Sequence, residues 1–301
     1  MKKIPLESTI VGSYRFLFSN IVSIMGTIWF PIALLLALVG ALVCSIIPHD
    51  WCQGGFKPDE VKDVVLSHLP MIVFGLFAIF IVALLVRAMI TVGILRHAIG
   101  EKTSTTFVYF SLGARVWRMV GVVLLTAIVY CMLEIGAILL FAISNGIMAI
   151  VPNVPTAVVA LVNFALAVAA VVFVVYVMLR LFFFLPAVVV AENKLGVARA
   201  WELGKGNVWR MIAVMIVVVL PVCVVAAGAM YLMLVPTVIV EVIRHQPQGP
   251  EVAVAVINSL WPLLPVIAAV ELILVIAVTG LTLGAIGHAY KAITAPEETS
   301  V

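Results

Sequence analysis

The chain has 301 residues, 65% of them hydrophobic and only 10% charged, with a formal net charge of +3. Soluble domains carry roughly 45–50% apolar and about 25% charged residues, so a water-soluble globular fold is excluded. So small a basic excess implies no nucleic-acid surface; it fits anchoring at one membrane face. Six apolar runs follow in chain order, near 21–47, 69–94, 117–143, 156–185, 210–239 and 260–286. Each exceeds the ~18 residues a helix needs to cross hydrocarbon, and being continuous rather than alternating they predict helices, not barrel strands. The expected fold is an all-α integral membrane protein forming one polytopic domain over 1–301.

Shorter amphipathic stretches precede the odd-numbered spans. In 4–19, Leu6, Ile10, Tyr14, Leu17 and Phe18 fall at helical spacing among polar residues. In 192–206 the apolar stripe is Leu195, Ala198 and Trp201, set against Lys194, Arg199, Glu202 and Lys205; the middle copy, 103–114, is weaker. These predict interfacial helices with the aromatic at headgroup level. The alternative is an extension of the following span.

Two landmarks recur along the chain. Asn20, Arg115 and Asn207 each have an aromatic six residues upstream (Tyr14, Tyr109, Trp201) and an apolar run downstream, at spacings of 95 and 92 residues. Thr91-Val-Gly-Ile-Leu-Arg-His97-Ala returns as Thr282-Leu-Gly-Ala-Ile-Gly-His288-Ala, with a degenerate middle copy, Phe184-Leu-Pro-Ala-Val-Val-Val190-Ala. The chain thus reads as three helical hairpins, near 4–100, 101–191 and 192–295, followed by a short polar tail, 296–301. Three parallel units imply a pseudo-threefold axis along the membrane normal.

Twelve basic residues fall on one side of this layout and three on the other (Lys57, Lys62, Arg244), with Arg87 and Arg180 inside spans. The bias places both termini in the cytoplasm. The first run is too long for a cleavable signal peptide and lacks a small-residue cleavage site.

Arg180-Leu-Phe-Phe-Phe-Leu-Pro186-Ala-Val-Val-Val-Ala-Glu192, with Ala198-Arg-Ala-Trp201-Glu-Leu203-Gly-Lys-Gly206-Asn207-Val-Trp209-Arg210, resembles the membrane domain of bacterial glycerophosphoryl diester phosphodiesterases. It equally resembles related stand-alone six-span inner-membrane proteins. Departures are Ala200 where the family has Ser before the Trp, and Val190 two residues before Glu192. The fused enzymes carry their catalytic barrel as a separate soluble domain, for which this chain leaves no room. The resemblance therefore implies a membrane-integral accessory or lipid-facing module without phosphodiesterase activity.

Ionisable residues inside the spans are the candidates for function. Arg87 and Arg180 each precede a landmark (Gly93, Pro186) by six residues, and Arg87 lies roughly 13 Å along the helix from Arg96. Glu134 and Glu271 fall about 25 Å from the same face, too deep to pair directly with the arginines. Two readings of the arginines compete. Together with Trp201, Lys205, Trp209 and Arg210 they could hold an anionic lipid headgroup, or they could snorkel or bond neighbouring helices. The glutamates fit a proton or cation relay, or protonated carboxyls bonded across helices, with Tyr130 and Asn163 at comparable depth.

Other expectations are structural. Asn20 and Asn207 suit caps of the following spans, and His97 and His288 suit capped helix C-termini. Gly280-x-x-x-Gly284 suits close helix packing, Pro186 a kink in the fourth span, and Pro221 and Pro236 a kink or end in the fifth. Cys44 and Cys52 could form a disulfide at the outer face. There is no HExxH, GxSxG, Walker loop or Cys-x-x-Cys, so no catalytic residue, metal or cofactor is expected. The function expected is a non-catalytic module binding membrane lipids, anionic ones among them, or another inner-membrane protein. The alternatives are a small-solute or lipid transporter on a six-helix bundle and, third, an intramembrane lipid enzyme.

Overall fold

The computed structural model describes residues 2–46, 58–101, 109–151, 155–245 and 260–295. Its helices are α1 (Leu6–Ser19), α2 (Ile21–Ile46), α3 (Pro58–Ser67), α4 (Leu69–Ile99) and α5 (Ala114–Ile150), then α6 (Thr156–Phe182), α7 (Leu185–Glu192), α8 (Val197–Gly204), α9 (Val208–His245) and α10 (Leu264–Thr294). No strand occurs among the described residues. Six segments are long and apolar enough to cross a membrane: Ile21–Ile46, Leu69–Ile99, Ala114–Ile150, Thr156–Glu192, Val208–Pro236 and Pro265–Thr294. This is the signature of a multi-pass membrane protein. The fourth segment is broken rather than kinked: α6 stops at Phe182 and α7 restarts with Pro186 at its N-terminus, where the missing N–H costs nothing. The helix α9 instead runs through both Pro221 and Pro236.

The core lies at one end of the bundle. Leu95 and Ala98 of α4, Leu185, Val188 and Val189 of α7, and Leu281, Ala285 and Ala289 of α10 are all buried. These three stretches are the segments that share the second landmark, and α4, α7 and α10 pack on one another. Away from this junction end the spans turn apolar side chains outward, such as Phe74, Phe77, Leu161 and Phe164. An apolar perimeter of this kind is stable against lipid tails but not against water.

The helix α1 seats its sequence stripe except for Phe18: Leu17 is buried and Leu6, Ile10 and Tyr14 pack on the core, with Thr9, Ser13 and Phe16 buried beside them, while Phe18 is 70% exposed. The cause is the glycine register on α10. A Cβ at Gly280 would come within 2.8 Å of Leu17, and one at Gly284 within 2.9 Å of Phe16. The small-residue face therefore receives α1 together with Ile24 at the start of α2. Phe16 then sits edge-on to His288, with ring centroids 6.4 Å apart, and tilted on His97 at 5.8 Å.

Tyr14 donates its hydroxyl to the carbonyl of Val217 at 3.1 Å. That carbonyl is four residues before Pro221, which has no N–H to offer it, so the tyrosine satisfies the acceptor the proline orphans. The middle amphipathic stretch falls largely in 102–108, and Cys52 and the tail 296–301 likewise lie outside the described residues. The part of that stretch described, 109–113, is not helical.

Candidate functional site

Polar contacts gather at the junction end. Gly100 ends α4 in the left-handed region (φ 88°), and the Gly100 and Glu101 amides donate back to the His97 and Arg96 carbonyls at 3.0 Å. This Schellman-type turn folds Glu101 back, so one carboxylate oxygen accepts from Arg96 and from Arg115 of α5, each at 2.7 Å. Desolvation pushes the Glu101 carboxyl up, but the hydrogen bonds from the two arginines outweigh it and hold it below its ordinary value. Glu192, at the end of α7, accepts from Tyr290 of α10 at 3.1 Å and pairs with Arg199 of α8 at 3.6 Å. Arg118 of α5 donates to Asn193, the left-handed residue that ends α7.

Neither landmark asparagine turns its side chain onto the span that follows. Asn20 donates from Nδ2 to the Phe16 carbonyl at 2.9 Å and accepts at Oδ1 from His97 Nε2 at 2.7 Å. It thereby joins the end of α1 to the end of α4, which also gives His97 a side-chain partner rather than a helix cap. Asn207 is buried, accepts the Ile4 amide at 3.1 Å, and donates to the Lys2 carbonyl at 3.3 Å. Arg210 donates to the Ile4 carbonyl at 2.6 Å, and Lys2 Nζ reaches the Ala295 carbonyl at 2.8 Å. The segment before α1 is thus stapled to α9 and to the end of α10. Arg210 serves this staple, whereas Lys205 and Trp209, at the α8–α9 turn, are exposed.

The two intramembrane arginines differ. Arg180 has protein partners: its NH1 donates to the Tyr176 hydroxyl at 2.5 Å and its guanidinium carbon lies 3.9 Å from the centre of the Trp201 ring, while its Nε is buried without a hydrogen-bond partner among the described residues. Arg87 lines an open-sided cavity of about 420 Å³ between α2, α4 and α10, with Thr91, Thr279 and Thr282 among apolar walls. Among the described residues its side chain makes no hydrogen bond or ion pair; only its carbonyl is engaged, by Thr91 at 2.8 Å. Arg87 and Arg180 therefore belong to separate surroundings and do not form one clamp.

Glu134 stands one turn from Tyr130 on α5. Asn163 is not its neighbour. It donates across the α5–α6 hairpin to Asn145 at 3.0 Å, the two being equidistant from residue 154 in the connection. A second open-sided cavity, about 410 Å³, lies between α5 and α6, with walls that include Leu133, Gly136, Ala170 and Phe173. Glu271 is exposed on α10. What sequence reasoning missed is the trio of threonines beside Arg87. Their signal was their spacing: Thr91 is one turn after Arg87, and Thr279 and Thr282 share a face of α10. No family model, curated protein or solved structure matches the chain.

Proposed function

We propose that the chain is a non-catalytic inner-membrane module that binds lipid, with three helical hairpins around a common core and both termini in the cytoplasm. On this reading α1 and α8 lie near the cytoplasmic interface, and the resemblance to the membrane domain of glycerophosphoryl diester phosphodiesterases reflects a shared membrane role. The observation that carries the reading is the pair of cavities on the bundle flank, about 410 and 420 Å³, both walled by span residues and open sideways. A ligand entering there comes through the bilayer, and apolar walls with few polar groups suit an acyl chain. The test is native mass spectrometry of the whole chain after gentle detergent extraction. Retained phospholipid at a defined stoichiometry is expected; folded protein that is lipid-free under all mild conditions would refute the reading.

A second reading has one observation in its favour. Glu271, Thr279 and Thr282 recur at helical spacing along one face of α10, a polar track that would suit headgroup passage in a lipid transporter. Movement of labelled lipid between leaflets of protein-loaded vesicles, absent from empty ones, would favour it.

A further inference from the structure

We propose that the Arg87 cavity is a binding site for the phosphate of an anionic phospholipid that enters sideways from the surrounding bilayer. The inference rests on the lipid-binding reading above and adds to it the site and the ligand class. Arg87 lies nine residues before Arg96 on α4, roughly 13 Å along the helix and within the apolar span. A guanidinium at such depth is costly, at least ~2.5 kcal/mol on insertion scales, unless a counter-charge or donor–acceptor shell receives it. Arg180 has Tyr176 one turn back and Trp201 opposite; Arg87 has Ala83 at the corresponding position and no side-chain partner among the described residues. Glu271 cannot supply the counter-charge: it lies eight residues from Thr279, about 12 Å farther along α10. Arg87 is exposed on the flank of α4, so a ligand from the bilayer can reach it and supply that charge.

The cavity specifies that ligand. The half-buried Thr279 and Thr282, whose hydroxyls bond no described residue, line the same cavity as Arg87, whereas the Thr91 hydroxyl is already committed to the Arg87 carbonyl. A fork and two hydroxyl donors lining one cavity offer the groups that the two free oxygens of a phosphodiester need. Ile32 and Leu35 of α2 and Val275 and Val278 of α10 form the apolar wall along which an acyl chain would lie. A fatty-acid carboxylate offers similar oxygens, but burial raises a carboxyl's pKa and favours its neutral form. A phosphodiester keeps its charge, and so keeps its hold on the arginine.

The test uses the whole chain in nanodiscs of phosphatidylcholine doped with phosphatidylglycerol or with oleate, read by native mass spectrometry after release. Wild type should retain phosphatidylglycerol in preference to both competitors. Arg87→Gln should lower that retention about tenfold or more, the loss expected for removing hydrogen bonds to a charged group. Arg87→Lys, which keeps the charge without the fork, should fall between them. A Thr279→Val/Thr282→Val variant should weaken retention without abolishing it, and Arg180→Gln should leave the preference intact. Equal phosphatidylglycerol retention by wild type and Arg87→Gln would overturn the site while leaving the lipid-binding reading standing. A preference for oleate would overturn the ligand class, and wild type without any lipid would overturn both. Because the Arg87 side chain bonds no described residue, Arg87→Gln should fold; a matching thermal midpoint verifies this.

Discussion

Replacing Gly204 with alanine is expected to destabilise the protein by about 1–3 kcal/mol, the usual cost of overpacking a close contact. Gly204 closes α8, and a Cβ there would stand 2.6 Å from the Arg180 carbonyl oxygen and 3.3 Å from its Cα. Both are backbone atoms of α6, so no rotamer change relieves the clash. The helix α8 must lift from α6, and Trp201, one turn earlier, must leave the Arg180 guanidinium that it covers. Helix propensity works the other way, since alanine is favoured over glycine by roughly 1 kcal/mol. The control is Gly228→Ala in α9, where an added Cβ meets nothing within 4 Å. It should be neutral or slightly stabilising. Thermal unfolding in one lipid mixture compares them; equal midpoints for the two variants would mean that α8 is not seated on α6 as described.

Asn207→Leu is expected to cost a similar amount, on the order of 1–3 kcal/mol, by stranding polar backbone rather than by crowding. The Asn207 side chain is the acceptor for the Ile4 amide and a donor to the Lys2 carbonyl, and Ile4 is fully buried. Leucine is near in size but offers neither group, so the Ile4 N–H must go unpaired or the segment must leave its seat. The second outcome would also release the hydrogen bonds that Arg210 makes to Ile4 and Lys2 to Ala295. Hydrogen exchange at Ile4 should accelerate together with a lower thermal midpoint. Unchanged protection of that amide would show that Asn207 is not what holds the segment.

The fold class was legible because long apolar runs report directly on the solvent that surrounds them. All six expected spans correspond to helices, some extended by a turn or more, as Leu69–Ile99 runs past Arg96 to its glycine stop. The close-packing glycines were equally plain, but their partner was not: Gly280 and Gly284 meet Phe16 and Leu17, over 260 residues away. Periodicity placed Leu6, Ile10, Tyr14 and Leu17 of α1 on the core side, but the close approach to the α10 glycines turns Phe18 outward and buries Thr9 and Ser13 as well. Arg87 and Arg180 look alike in the repeat alignment. Tyr176, one turn before Arg180, was a local sign that the two differ, whereas the Trp201 stack depends on how α8 folds back. The Asn145–Asn163 pair was readable from hairpin symmetry, while depth along separate helices gave the wrong neighbour for Glu134.

The lipid-binding account is tested most directly by a cryo-electron microscopy map of the whole chain in nanodiscs containing phosphatidylglycerol, with a bound antibody fragment for alignment. The account predicts headgroup density against Arg87, Thr279 and Thr282, continuing as a chain along Ile32 and Val275. A cavity closed by protein side chains, or an Arg87 paired with a carboxylate of the chain itself, would contradict it.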